Sequence, residues 1–115
     1  MLQSIKHILI DATDPKRLAE FWTEATGLKV QNDYGEFIIL ERKKDWPHLA
    51  FYKVPEEKTI KNRLHLDFRV EDEAAESKRL SALGAKELSK HANGDFHWRV
   101  MADPEGNEFC ISGQW

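Results

Sequence analysis

The chain has 115 residues, enough for one domain with a core of its own and little more. Its 17 Lys and Arg against 20 Asp and Glu leave a net charge of −3 spread along the sequence, which argues against the basic stripe of a nucleic-acid binder. Cys110 is the only cysteine, which excludes an intramolecular disulfide scaffold, and no apolar run approaches the roughly 20 residues that span a bilayer. Met1-Leu2-Gln3-Ser4 has neither the basic segment nor the apolar stretch of a signal peptide, so the expected compartment is the cytoplasm.

Residues 5–12, rich in Ile and Leu, predict a first strand running into Asp14-Pro15. There Asp suits a helix N-cap and Pro the first helical turn. Leu18, Phe21, Trp22 and Ala25 then fall at i, i+3, i+4 and i+7, one apolar helical stripe, and Gly27 stops the helix. Short strands are expected near 28–32, 36–41 and 48–54. A strand at 64–70 meets Asp72 as the next cap. The second helix runs to Leu83 with Ser77, Leu80 and Leu83 as its inner edge, and Gly84 ends it. Strands near 85–89, 96–102 and 107–112 follow. His91-Ala-Asn-Gly-Asp95 reads as a mobile connection, and His48 and His91 as loop residues.

The two halves repeat. His7 and Asp14 recur 58 residues on as His65 and Asp72, and Asp45 and Phe51 recur as Asp103 and Phe109. The expected order is therefore βαβββ twice, modules of about 4–56 and 62–113 within one domain of residues 1–115.

Alternation assigns the faces. Leu64, Leu66, Phe68 and Val70 belong under the second helix, with His65, Asp67 and Arg69 on the other side. The same parity puts Ile8 and Ile10 under the first helix and turns His7, Leu9 and Asp11 away from it. In the last hairpin, a pairing of Ala102 with Asn107 would bury Trp98 and Val100 beside Phe109 and Ile111. His97, Arg99, Met101, Glu108 and Cys110 would then share the opposite face, and a slip of one residue would reverse the assignment.

His7 with Asp14, the segment Arg17-Leu-Ala-Glu-Phe-Trp22, His65 with Asp72, and above all Asp103-Pro-Glu-Gly-Asn-Glu-Phe-Cys110 resemble the vicinal-oxygen-chelate superfamily of glyoxalase I, extradiol dioxygenases and bleomycin-resistance proteins. The small glyoxalase-like domain branch is the most similar. The resemblance implies an α+β fold in which two tandem βαβββ modules form a curved mixed sheet around a cleft, commonly as a homodimer. In metal-dependent members a divalent ion is bound by residues on the first and last strands of each module. Carried over by position, His7 and His65 are the first-strand ligands. The residue four after Gly106 is Cys110, with Glu108 two before it, and the 58-residue shift gives Tyr52 in the first module. Two imidazoles are thus kept, without a carboxylate at either remaining position.

Each constellation has two or more readings. His7 and His65 are either ligands for Fe, Ni, Zn or Mn or histidines lining a cavity that lost its metal. Cys110 is a buried small hydrophobe, a nucleophile beside His65 and Arg99, or a thiolate ligand. Asp11 and Arg69, at equivalent positions, form an ion pair that either orients a polar substrate or neutralises two charges. Tyr52, His97 and Arg99 are donors for a carboxylate, carbonyl or phenolate on a small ligand, or simply part of a solvated strand face. Trp46 and Trp115 are candidates for contact with a second copy of the chain. The expected function is binding of a small polar organic molecule, with the metal site incomplete. The alternative is a metal-dependent lyase, isomerase or dioxygenase using His7 and His65 with Glu108 as general base. A third is an interaction module filled by its own side chains. No nucleic-acid or membrane partner is expected.

Overall fold

The computed structural model describes residues 1–115 and divides into two units, Met1–Glu57 and Lys58–Trp115. The first holds β1 (His7–Ala12), α1 (Pro15–Thr26), β2 (Val30–Asp33), β3 (Phe37–Leu40) and β4 (His48–Lys53). The second holds β5 (Leu66–Arg69), α2 (Glu73–Leu83), β6 (Lys86–Asn93), β7 (Phe96–Ala102) and β8 (Glu108–Ser112). Each unit is βαβββ with its own four-stranded mixed sheet, ordered β1-β4-β3-β2 and β5-β8-β7-β6. The first and last strands of each unit run parallel, and the other neighbours run antiparallel. Neither helix is long and apolar enough to cross a membrane.

Local chemistry starts and stops the helices. The Asp14 carboxylate accepts from the Arg17 N–H at 3.1 Å, and Asp72 accepts from Ala75 at 3.1 Å. Each cap satisfies a donor that the first helical turn leaves open. Gly27 ends α1 at φ 76°, left-handed backbone that a side chain would disfavour, and its N–H donates to the Thr23 carbonyl at 2.8 Å. Leu18, Phe21 and Trp22 of α1 are buried with Ile38, Leu40, Leu49 and Phe51 of the sheet below. In the second unit Leu80 of α2 is buried with Met101, Phe109 and Ile111.

Three sequence expectations change here. β6 continues to Asn93, and Asn93 pairs with Phe96, so residues 91–95 are the end of a two-residue hairpin and not a mobile connection. Gly94, at φ 63°, takes the first central position of that turn, where glycine is favoured.

The last hairpin is offset by one residue, because Ala102 pairs with Glu108 instead of Asn107. Asp103 and Asn107 close a three-residue loop in which Gly106 takes φ 87°. The faces therefore exchange. Met101 and Arg99 lie on the α2 side with Phe109 and Ile111, while Trp98 and Val100 share the far side with Glu108 and Cys110. His97, two residues from Arg99, follows it to the α2 side. Trp98 consequently leaves the core and stacks on His91, ring centroids 5.1 Å apart and 14° from parallel.

Leu64 precedes β5 and is 88% exposed, so the half-buried row of that strand starts at Leu66.

Arg99 has a structural occupation on its side of the sheet. It donates to Glu87 at 2.5 Å and to Glu73 of α2 at 3.3 Å, and Ser77 donates to the same Glu87 oxygen at 2.8 Å. Hydrogen bonds from Arg99 first and Ser77 second hold the Glu87 carboxyl below the usual range, against an opposing contribution from burial. Arg99→Ala should lower unfolding free energy by about 1.5–3 kcal/mol, read by urea denaturation. A depressed folded-state pKa gives stability that is present above the unfolded value and disappears as pH falls through the folded one. Glu87→Gln should therefore flatten the acid limb of the stability profile and leave its alkaline limb unchanged.

Candidate functional site

His65 stands immediately before β5 and Asp67 within it, two residues on and so on the same face. β8 runs parallel alongside and sets Cys110 directly opposite Asp67. The three side chains meet. His65 Nδ1 lies 3.0 Å from Asp67 Oδ1 and 3.7 Å from Cys110 Sγ. The donor atoms of the trio all lie within 4.8 Å of one another. An ionised carboxylate can only accept, so Asp67 places the proton of neutral His65 on Nδ1 and leaves Nε2 as an acceptor. The His65 and Asp67 side chains are 43% and 49% exposed, whereas Cys110 is buried.

Burial first, and the Asp67 charge second, push the Cys110 thiol up to about 11. The group is a thiol at neutral pH, and Arg99, expected beside it, is on the other face of the sheet. The nearby Lys61 charge pulls the other way but is outweighed, so the thiol lacks the depressed pKa that a nucleophile requires.

Glu108 is also on the Cys110 side. Its carboxylate accepts from Lys61 at 2.5 Å and from the Asn62 N–H at 3.4 Å, with Lys58 3.8 Å away. The Lys61 hydrogen bond holds the carboxyl below the usual range although burial opposes it. Such a group anchors the 58–62 segment to β8 and is a weak proton acceptor. Arg69, two residues beyond Asp67 on β5, is exposed and opposite Ser112.

In the first unit His7 pairs with His48 across the parallel β1–β4 ladder, ring centroids 5.8 Å apart. His48 Nδ1 donates to the Leu40 carbonyl at 2.8 Å, which leaves its Nε2 free. Sequence reasoning placed His48 in a loop, and only a pairing between strands 41 residues apart reveals it. Tyr52 is opposite the exposed Asp11, and its ring lies 6.1 Å from that of Phe37.

The ladders also correct the equivalence of the two last strands. Asp67 is the counterpart of Leu9, and Leu9 pairs with Ala50 where Asp67 pairs with Cys110. The counterpart of Cys110 is therefore Ala50, an aliphatic residue, and that of Tyr52 is Ser112. A divalent ion held on the first and last strands of both units would have no donor at Ala50 and a thiol at Cys110. The residues present do not fit that four-position arrangement.

The glyoxalase-like domain family matches residues 7–112. Among solved structures, a glyoxalase/bleomycin resistance protein/dioxygenase family enzyme from Burkholderia phytofirmans PsJN is 19% identical with a TM-score of 0.74, covering 95% of this chain and 97% of that one. A mutant of the fosfomycin resistance protein FosX from Listeria monocytogenes, complexed with Mn(II) and 1S,2S-dihydroxypropylphosphonic acid, is 14% identical with a TM-score of 0.79, over 98% and 91% of the two chains. Lactoylglutathione lyase from Agrobacterium tumefaciens is 17% identical with a TM-score of 0.66, over 96% and 92%. At these identities the likeness is one of fold. No curated protein matches the sequence. The element order, the paired first and last strands and the match along nearly the whole chain identify it as a member of the glyoxalase-like domain family, within the vicinal-oxygen-chelate superfamily.

Proposed function

We propose that this glyoxalase-like domain binds a small polar organic molecule at the His65–Asp67 face of its second unit. The observation that carries the reading is the half-exposed imidazole held by Asp67 in the tautomer that leaves Nε2 free. That nitrogen accepts from a hydroxyl or amine of the ligand. Arg69, exposed on the same strand face, offers a planar fork of N–H groups to a carboxylate, phosphate or phosphonate. FosX, with its dihydroxypropylphosphonic acid, is a structural neighbour whose ligand combines these group types.

Metal-dependent lyase, isomerase or dioxygenase chemistry through His7 and His65 has less support, because Ala50 offers no donor and Glu108 is engaged by Lys61. A second copy of the chain, in the cytoplasm, belongs to the same proposal. Trp115, its ring 6.0 Å from that of Phe96, supplies an exposed aromatic surface for it.

A thermal-shift screen of polar and aromatic metabolites against metal-free protein tests the binding role. A true ligand at 100 times its Kd adds about 2.7 kcal/mol to stability. The shift is expected to vanish in His65→Ala and to fall in Asp67→Asn, with anionic hits also weakened in Arg69→Ala. A screen without any shift, or hits indifferent to all three substitutions, would sink the proposal.

A further inference from the structure

His65, Asp67 and Cys110 bring three different donors to one point: an imidazole nitrogen, a carboxylate oxygen and a sulfur. A tetrahedral ion with bonds of about 2.0–2.3 Å sets its ligands roughly 3.3–3.8 Å apart. The observed separation of 3.7 Å from His65 Nδ1 to Cys110 Sγ falls within that spacing, and that of 3.0 Å to Asp67 Oδ1 is slightly shorter than it. Small side-chain adjustments close the set around an ion, which takes the place of two protons. The one on His65 Nδ1 moves to Nε2, and the Cys110 thiol proton is released to solvent. Two of the donors are fixed by backbone, since Asp67 and Cys110 are direct partners in the β5–β8 ladder. The third is exposed, which leaves an access side and room for a fourth ligand.

We propose that His65, Asp67 and Cys110 form a self-contained site for a thiophilic divalent cation such as Zn(II), built from the second unit alone. The ligand set departs from the four-position arrangement implied for the superfamily. It replaces a ligand shared between modules with Asp67, from the strand that His65 immediately precedes, and it leaves the alanine at position 50 without consequence. Sulfur, nitrogen and oxygen together select zinc or cobalt over magnesium or calcium, which prefer oxygen alone. Glu108, though close by, is not a ligand, because Lys61 and Lys58 already neutralise it.

The test is a titration of the metal-free full-length chain with Co(II), followed by absorption spectroscopy. One equivalent should produce the thiolate-to-cobalt charge-transfer band together with tetrahedral d–d bands, and Zn(II) should displace it. Cys110→Ser should abolish the charge-transfer band. Asp67→Asn should weaken cobalt binding by about tenfold or more. His7→Ala should bind within about twofold of the parent chain, a difference of under about 0.5 kcal/mol. If Cys110→Ser fails to fold by circular dichroism, Asp67→Asn and His7→Ala still decide. Absence of the band in the parent chain, binding without a thiolate band, or loss of binding in His7→Ala would each overturn the single-unit site. The metabolite screen uses metal-free protein, so failure of one proposal is distinguishable from failure of the other.

Discussion

Phe51→Ala is expected to lower the unfolding free energy by about 3–5 kcal/mol, the range for deleting a fully buried aromatic side chain. Phe51 is 0% exposed at the centre of β4, paired with Ile10 on one side and Ile38 on the other. All three face α1, whose Leu18, Phe21 and Trp22 close over them. The ring has no route to solvent and its neighbours belong to paired strands, so the space it leaves collapses only in part. Against a typical stability of about 5–15 kcal/mol, a loss of that size takes the first unit close to unfolding at physiological temperature. Tyr52→Ala, one residue along and on the opposite face, should cost about 1 kcal/mol or less. Urea denaturation with an unchanged m-value reads both. A small effect at Phe51 together with a large one at Tyr52 would mean that the faces of β4 are reversed.

The second large effect is expected at Asp103. The residue is only 4% exposed. It accepts from the N–H of Glu105 at 2.9 Å, from the N–H of Asn107 at 2.9 Å, and from the Asn107 side-chain amide at 3.0 and 2.9 Å. The backbone closes the same loop, with Asp103 N–H donating to the Asn107 carbonyl at 2.8 Å. Asp103→Ala strands several of these donors at once. Each unmet buried donor costs about 1–3 kcal/mol, so a total near 2–4 kcal/mol is expected after partial rescue by water. Asp103→Asn keeps one acceptor oxygen and should lose roughly half as much. The loop also sets the pairing of Ala102 with Glu108, and through it the place of Cys110 beside Asp67. Asp103→Ala should therefore also speed amide exchange along β7 and β8. If the variant kept parental stability and exchange, the loop would not be setting the register.

The helices were legible because their signals are local. Asp14-Pro15, Asp72, Gly27 and Gly84 each act through bonds to residues within one turn, and all four serve as caps in the structure. The element order followed from them and from the recurrence of His7 and Asp14. Strand register was less legible. Whether Asp103 ends a strand or begins a turn depends on a buried carboxylate whose partners are identifiable only once the loop is folded. Reading it one residue off misplaced Met101, Arg99, His97 and Trp98 together, because a sheet alternates with a period of two. His48 was missed for a different reason. Its importance lies in a parallel pairing with His7, and nothing adjacent in sequence announces such a partner. The cluster of His65 with Cys110 was anticipated on the same side of the sheet. Asp67 was placed on that side too, but its approach to the histidine ring depends on side-chain geometry.

The two parallel ladders bear on any attempt to symmetrise this chain. Partners are 41 residues apart between β1 and β4, as in His7 and His48, but 43 apart between β5 and β8, as in Leu66 and Phe109. A chimera made by copying the closing strand of one half onto the other at the 58-residue spacing would keep every side chain on its intended face. It would nevertheless displace the graft by one pleat, about 7 Å along the strand. Tyr52 would then land beside Asp67, where Cys110 now lies, and an engineered twin of the histidine–aspartate pair must be transplanted at a spacing of 60 instead.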